Sequence, residues 1–129
     1  MSSNTFSLIV SMPEQGPVRH DLEGDLITFG RGPDNDIQIL VSEVSVSHGE
    51  FKTAGESYAI LDKGSTNGTK VNGAPIGEGG APLSPMGKIE LGSTISCYFV
   101  PAAVLDATPM EELIQSIDSK QGEAANPKT

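Results

Sequence analysis

The chain has 129 residues, of which 17 are acidic and 8 are basic, so its formal net charge is −9. This charge excludes a general nucleic-acid binder, which needs many lysines and arginines to release counterions from the phosphate backbone, and it disfavours docking on an anionic membrane. Hydrophobic residues make up 36% of the chain and there is no tryptophan. These numbers predict one small domain with a modest core, and they still allow a local positive site.

The only cysteine, Cys97, lies in the apolar run ISCYFV and is predicted to be a small buried residue without a disulfide. No histidines and cysteines have the spacing of zinc ligands, so we expect neither a metal nor a cofactor. No segment resembles a signal peptide, and no apolar stretch is long enough to span a bilayer. We therefore expect a cytoplasmic protein whose partners include neither membranes nor nucleic acid.

Short β-prone segments separated by turn residues follow one another along the first hundred residues. In chain order the predicted strands are 6–11, 18–22, 25–30, 37–40, 49–53, 58–61, 69–71, 88–91 and 94–100. Turn signals recur about every 8–12 residues, which is typical of an all-β sandwich or barrel. Residues 74–85 are rich in glycine and proline and are predicted to be a loop.

The composition changes after residue 101, and residues 108–119 are predicted to form a short amphipathic helix. Its apolar stripe has helical spacing and consists of Met110, Leu113, Ile114 and Ile117. Since short isolated helices are only marginally stable, we expect the stripe to dock on the domain's own surface, with a dimer or partner contact as the alternative. The predicted organisation is a domain over residues 1–101 and a tail over residues 102–129 with a disordered end.

Three short segments carry polar groups suited to binding an anion. The loop KGSTNGT at residues 63–69 has glycines that let the backbone turn sharply and aim hydroxyl, amide and N–H groups at one point. The pair Gly30-Arg31 offers a planar guanidinium fork that suits phosphate or carboxylate. The segment SVSH at residues 45–48 ends in His48, which we predict to be a structural, hydrogen-bonded residue. Taken alone, each segment is better explained as an ordinary turn or a solvated side chain.

A serine hydrolase is the enzyme that the residue types allow. Ser45 or Ser47, with His48 and Asp62, would supply a nucleophile, a base and a carboxylate. However, the chain lacks the G-x-S-x-G nucleophile elbow and an oxyanion loop. We therefore predict that the protein is not an enzyme.

Together the three segments form a longer pattern: Gly-Arg, Asp-Ile-x-Ile, Ser-x-x-His, and Asp-x-Gly-Ser-Thr-Asn-Gly-Thr-x-Val-Asn-Gly. This pattern resembles the forkhead-associated (FHA) domain, a phosphothreonine-peptide binding module, over about residues 6–100. The run GSTNGTKVNG is its most specific part. The resemblance implies an eleven-stranded β-sandwich of the FHA/SMAD-like kind, with ligand loops at one end. It also implies a partner that a Ser/Thr kinase has phosphorylated on threonine. We expect a monomer, with a dimer formed through the tail as the alternative.

The resemblance implies roles for individual side chains as well. Arg31, Ser45 and Thr66 would contact the phosphate, and Thr66 would help to distinguish phosphothreonine. Asn67 would hold the backbone of the bound peptide. The positions that mainly shape the loops are Gly30, His48, Gly68 and Asn72.

Two positions depart from the family pattern. Val46 stands where Arg, Lys or Asn is common, so one phosphate contact worth about 1.5–3 kcal/mol is predicted to be missing. Lys63 or Lys70 could compensate for it in part. Gly49 stands where Ala is common, which we expect to be harmless. Because FHA-like modules that bind unphosphorylated partners often lack phosphate-contacting residues, Val46 leaves a phospho-independent scaffold as the alternative function.

Overall fold

A computed structural model describes residues 5–12, 15–77, 79–92 and 94–125, with side chains as far as residue 119. In chain order the strands are β1 (Phe6–Met12), β2 (Gly16–Leu22), β3 (Leu26–Gly30), β4 (Ile37–Gln38), β5 (Gly49–Ala54), β6 (Ser57–Asp62), β7 (Thr69–Val71), β8 (Ala74–Pro75), β9 (Ala81–Pro82), β10 (Gly87–Leu91) and β11 (Ile95–Pro101). Two helices follow, α1 (Ala102–Ala107) and α2 (Met110–Ala125). The eleven-stranded all-β fold with a helical C-terminal end is therefore confirmed.

The strands form two sheets that enclose the core. Sheet A has the order β2-β1-β11-β10-β7-β8, and sheet B has the order β4-β3-β5-β6-β9. Successive side chains of a strand point to opposite faces of the sheet. In β10, buried Ile89 and Leu91 therefore alternate with partly exposed Lys88 and Glu90. The largest core side chains include Leu8, Phe29, Phe51, Ile60, Ile89 and Phe99.

Strands β8 and β9 lie within residues 74–85, so the prediction of a loop there was wrong for these four residues. Each strand has two residues, one of which is a proline, and each is at the edge of its sheet. Proline has no N–H for the sheet but is tolerated at an edge. A strand of two residues is too short to show a period-2 pattern in the sequence. These residues form strands because β8 pairs with β7 and β9 pairs with β6.

The helices cover the outer face of sheet A at β1, β10 and β11. Ile9, Tyr98 and Val100 point to this face and are buried against Leu113 and Ile117 of α2 and against α1. This packing explains why β1 and β11 are buried on both faces. The expectation that the apolar stripe docks on the domain's own surface is therefore confirmed.

Polar contacts fix the position of the helices. The carboxylate of Asp118 on α2 accepts a hydrogen bond from the Tyr98 hydroxyl at 3.0 Å and pairs with the Lys88 ammonium at 3.0 Å. On α1, Asp106 pairs with the guanidinium of Arg19 on β2 at 2.8 Å. Hydrogen bonds and ion pairs thus complement the apolar contact.

The helical segment differs in extent from the prediction of residues 108–119. Helix α2 continues to Ala125, so residues 121–125, which were predicted to be disordered, are helical, and residues 126–129 lie outside the described ranges. Helix α1 was not predicted. It has six residues and Leu105 is its buried residue, which is too little to show a helical period of apolar residues in the sequence. In the ranges that the structure covers, neither helix has the length and apolar character needed to cross a membrane.

Candidate functional site

The predicted site residues lie on three loops between strands: 31–36 after β3, 39–48 after β4, and 63–68 after β6. Backbone hydrogen bonds hold the first two loops side by side, from the Arg31 N–H to the Ser45 carbonyl at 2.9 Å and from the Gly32 N–H to the Val46 carbonyl at 3.1 Å. A Cβ atom on Gly30 would lie 2.3 Å from that Val46 carbonyl oxygen. Glycine at position 30 is therefore what allows the close approach.

A further residue of the first loop also ties the two loops together. The Asn35 side-chain amide donates hydrogen bonds to the Val46 carbonyl at 2.7 Å and to the Gly32 carbonyl at 2.9 Å. Asn35 is not among the site residues predicted from the sequence. No local signal could have found its second contact, because that contact depends on a loop that comes 11 residues later.

Arg31 is exposed at the start of the first loop. Its Nε–H donates to the Val44 carbonyl at 2.9 Å, which fixes the plane of the guanidinium. Its two terminal nitrogens have no hydrogen-bond partner among the described residues. The side chain is thus anchored at one edge and keeps donors for an anion, as its predicted role requires.

Ser45 and Thr66 meet across two loops. The Thr66 N–H donates to the Ser45 hydroxyl oxygen at 3.0 Å. The Ser45 hydroxyl hydrogen has no acceptor in the described part of the chain, and the exposed Thr66 side chain has no hydrogen-bond partner there. Two hydroxyls with spare donor capacity are therefore brought together at the end of the sandwich that also carries Arg31.

Asn67 is partly engaged within the protein. Its Nδ2 donates to the Glu43 carbonyl at 2.8 Å, which leaves the side-chain carbonyl oxygen to accept an N–H from a bound peptide. Asn72 lies outside the three loops, in the turn between β7 and β8. Its φ of 52° and the φ of 88° at Gly73 give the left-handed turn that a two-residue hairpin needs.

His48 is fully buried. Its Nδ1 accepts the Ser45 backbone N–H at 3.1 Å, and its Nε2 lies 3.2 Å from the Gly68 carbonyl and 3.1 Å from the Thr69 hydroxyl. A carbonyl can only accept, so the hydrogen is on Nε2. Burial lowers the pKa of the imidazole and favours this neutral form. The ring contacts the backbone N–H of Ser45 and not its hydroxyl, so Ser45 and His48 are not paired here as a nucleophile and a base.

Asp62 organises the third loop, a role that sequence analysis did not assign to it. Burial tends to raise the pKa of its carboxyl group, but hydrogen bonds from Ser65, Thr69 and Gly64 outweigh burial and lower this pKa. The carboxylate is therefore ionised at neutral pH. The signal for this role was present in the sequence, because Asp before a Gly-Ser turn commonly accepts N–H groups two and three residues later.

The two departures from the family pattern have structural consequences. Val46 is 53% exposed and offers no side-chain donor. The Lys63 ammonium is paired with Glu50 at 3.2 Å, so it is directed to β5 instead of replacing the missing contact. At Gly49 a Cβ atom would lie 2.2 Å from the Leu61 carbonyl oxygen, so in this chain the glycine is required.

The described residues contain no group of three His, Cys, Asp or Glu side chains that could hold a metal ion. What the three loops offer is a set of neutral and cationic hydrogen-bond donors around Arg31 and Ser45. Such a set suits a phosphate or carboxylate group of a ligand.

Comparison with known proteins connects this geometry with a family. The sequence profile of the FHA domain matches residues 27–92. The chain is 35% identical over 85 residues to the oxoglutarate dehydrogenase inhibitor of Corynebacterium jeikeium, covering 66% of this chain and 58% of that protein. It is 34% identical over 76 residues to the glycogen accumulation regulator GarA of Mycolicibacterium smegmatis, covering 59% of this chain and 48% of that protein. The match therefore spans about half the length of these relatives.

A solved structure from work on phosphothreonine-dependent FHA domain interactions superimposes with a TM-score of 0.63 and 26% identity. The superposition covers 73% of this chain and 95% of that one. The residues that match the family profile include all three loops, and the superimposed structure has the same fold. The chain belongs to the FHA domain family.

Proposed function

We propose that the protein is a phosphothreonine-dependent interaction module that binds phosphorylated protein segments through the three loops. The observation that carries this proposal is the unused donor capacity of Arg31, Ser45 and Thr66 on loops held together by a 3.0 Å hydrogen bond. A phosphothreonine carries close to two negative charges and three acceptor oxygens, so it matches a guanidinium with two hydroxyls. One arginine suffices because charge-assisted hydrogen bonds are strong and directional.

The relatives support the same function. The FHA domain of the solved neighbour takes part in phosphothreonine-dependent interactions, and the two curated relatives are an inhibitor and a regulator. We infer that this chain likewise binds a threonine-phosphorylated partner, the product of a Ser/Thr kinase, and that it acts by binding and not by catalysis. The geometry of Ser45 and His48 supports the absence of hydrolase activity.

We further infer a cytoplasmic monomer. The buried free thiol of Cys97 fits a reducing compartment. The apolar stripe of α2 is used within the chain, since Leu113 and Ile117 are buried against sheet A, and this argues against a dimer formed through that stripe.

Binding of unphosphorylated partners is the second candidate function. The observations that favour it are Val46, which has no donor, and Lys63, which is engaged with Glu50. Four family site residues are nevertheless present, including Arg31, whose terminal nitrogens have no hydrogen-bond partner in the part of the chain that the structure describes. We therefore rank phosphate-dependent binding first.

The test is titration of the chain with a phosphothreonine peptide library and with the matched unphosphorylated peptides. We expect binding of the phosphorylated set only, and loss of most of this binding in Arg31→Ala. Arg19→Ala is the matched control, because Arg19 is engaged with Asp21 and Asp106. Equal affinity for phosphorylated and unphosphorylated peptides would favour the scaffold function.

A further inference from the structure

Asp62 is the centre of a hydrogen-bond circuit beneath the three loops. Its Oδ1 accepts the N–H groups of Gly64 at 2.8 Å and Ser65 at 2.7 Å. Its Oδ2 accepts the hydroxyl groups of Ser65 at 2.5 Å and Thr69 at 2.7 Å. Because an ionised carboxylate can only accept, all four hydrogens point at Asp62.

One arm of the circuit runs from Thr69 to Ser45. Since the Thr69 hydroxyl hydrogen goes to Asp62, the Thr69 oxygen is left to accept, and the His48 Nε2–H lies 3.1 Å from it. A neutral imidazole with its hydrogen on Nε2 has a bare Nδ1, and this atom accepts the Ser45 N–H at 3.1 Å. The Gly68 carbonyl, 3.2 Å from Nε2, requires the same hydrogen on that atom, so Asp62, through Thr69, and Gly68 together hold the ring that contacts the Ser45 backbone.

The other arm returns through the loop after β6. The Ser65 hydroxyl oxygen, whose hydrogen goes to Asp62, accepts the Gly68 N–H at 3.0 Å and so closes the turn around Thr66. Thr66 then donates its N–H to the Ser45 hydroxyl oxygen. Both arms therefore end at Ser45, whose hydroxyl hydrogen is left for an acceptor from outside.

We propose that Asp62 is a positioning residue for the phosphate site: its carboxylate holds the turn around Thr66 and the contact between Thr69 and His48, and so fixes the position from which the Ser45 hydroxyl donates to the anion. This inference rests on the function proposed above, although Asp62 itself is 9% exposed and acts through Thr69, His48 and Ser65. A carboxylate close to a phosphate would ordinarily weaken binding by repulsion. Here four donors saturate it, so its effect on the site is orientation.

Four substitutions at three positions separate orientation from repulsion. Asp62→Asn keeps the shape but replaces an acceptor by a donor, which opposes the hydroxyl groups of Ser65 and Thr69. Thr69→Val removes the link to His48 with little change of shape, and Thr69→Ser restores it. Glu111→Gln is the control for charge, because Glu111 is an exposed carboxylate of α2 outside the three loops, so its replacement removes the same negative charge.

The first measurement is the Kd of the phosphothreonine peptides selected from the library. We expect Asp62→Asn and Thr69→Val to raise Kd at least about tenfold and Thr69→Ser and Glu111→Gln to change it less than about threefold. If repulsion were the main effect of Asp62, Asp62→Asn would bind more tightly than the wild type. That result, or unchanged Kd values for both disruptive variants, would overturn the proposal.

The second measurement is the ¹⁵N NMR spectrum of the His48 ring in the free protein. We expect a protonated Nε2 and a bare Nδ1 in the wild type and in Thr69→Ser, and in Asp62→Asn the same tautomer with a shifted Nε2 resonance, because the Thr69 contact changes while the Gly68 carbonyl still accepts. Lost affinity with an unchanged Nε2 resonance would mean that Asp62 does not act through Thr69 and His48. If Asp62→Asn does not fold, the Thr69→Val and Thr69→Ser pair decides through Kd. If the wild type shows no preference for phosphorylated peptides, the proposed function fails, while the ring spectra still test the circuit.

Discussion

The backbone N–H of Thr66 donates a 3.0 Å hydrogen bond to the hydroxyl oxygen of Ser45, a residue 21 positions earlier in the chain. This bond joins the loop after β6 to the loop after β4 and uses only the acceptor capacity of Ser45. The bond holds the two candidate loops together within the protein itself, so we expect a ligand to order few side chains on binding. Preorganisation of this kind lowers the entropic cost of association.

Replacement of Ser45 by alanine should weaken phosphopeptide binding. The variant loses the donor to phosphate and leaves the Thr66 N–H without its partner, so we expect Kd to rise by about tenfold or more. Isothermal titration with a phosphothreonine peptide measures this change. Ser47→Ala is the matched control, since Ser47 is exposed and makes no hydrogen bond with the described residues. A similar loss in both variants would mean that Ser45 has no special role.

Replacement of Val46 by arginine should strengthen binding. Val46 lies beside the Arg31 loop, through the bond from Gly32 N–H to its carbonyl, and is 53% exposed, so a longer side chain has room. A new charge-assisted contact of about 1.5–3 kcal/mol corresponds to a roughly 10- to 150-fold lower Kd. Val46→Met adds length without charge and should leave Kd unchanged. If both variants bind like the wild type, position 46 does not face the phosphate.

Truncation of the buried side chain of Ile117 should destabilise the sandwich itself. Ile117 is 1% exposed and packs α2 on Ile9 and Tyr98 of sheet A. Ile117→Ala should lower the free energy of unfolding by about 2–5 kcal/mol, whereas the exposed Ser116→Ala should change it by less than about 0.5 kcal/mol. Urea denaturation followed by tyrosine fluorescence and by circular dichroism measures both. One shared transition is expected, and a separate early helical transition would make the tail independent of the domain.

Stability should fall as the pH drops below about 6.5, the ordinary pKa of histidine. Burial lowers the pKa of His48 in the folded state, so above this pH both states are neutral at His48. Below it the unfolded state binds a proton that the folded state does not, which favours unfolding until the pH reaches the lowered pKa. Buried Asp62 also has a lowered pKa in the folded state. Its contribution to the free energy of unfolding is lost only when the pH falls below 3.8, the ordinary pKa of aspartate.

Thermal unfolding between about pH 7 and pH 5 measures the histidine effect. Burial also lowers the pKa of His20, so its contribution has the same sign. The experiment therefore compares the wild type with His20→Asn, in which His48 is the remaining histidine. A melting temperature that stays constant over this range in His20→Asn would contradict the assignment of a buried neutral His48.

The strand pattern could be predicted because it is local. Segments such as residues 88–91 alternate apolar and polar residues, because successive side chains of a strand point to the buried and to the exposed face of the sheet. The nine predicted strands all overlap observed ones, whereas β8 and β9 were missed because their pairing comes from neighbouring strands. The apolar stripe of α2 likewise predicted a helix that docks on the domain, but it did not predict that the helix docks on sheet A.

The sequence by itself determined the family, the loops that carry the polar residues, and the choice of Arg31, Ser45, Thr66 and Asn67 as candidates. Tertiary structure alone decided which of their atoms remain available. It engages the amide nitrogen of Asn67 with the Glu43 carbonyl and gives the terminal nitrogens of Arg31 no hydrogen-bond partner among the described residues. The physical reason is that a residue type fixes the number of donors and acceptors, whereas packing of distant segments decides which of them are already satisfied within the protein.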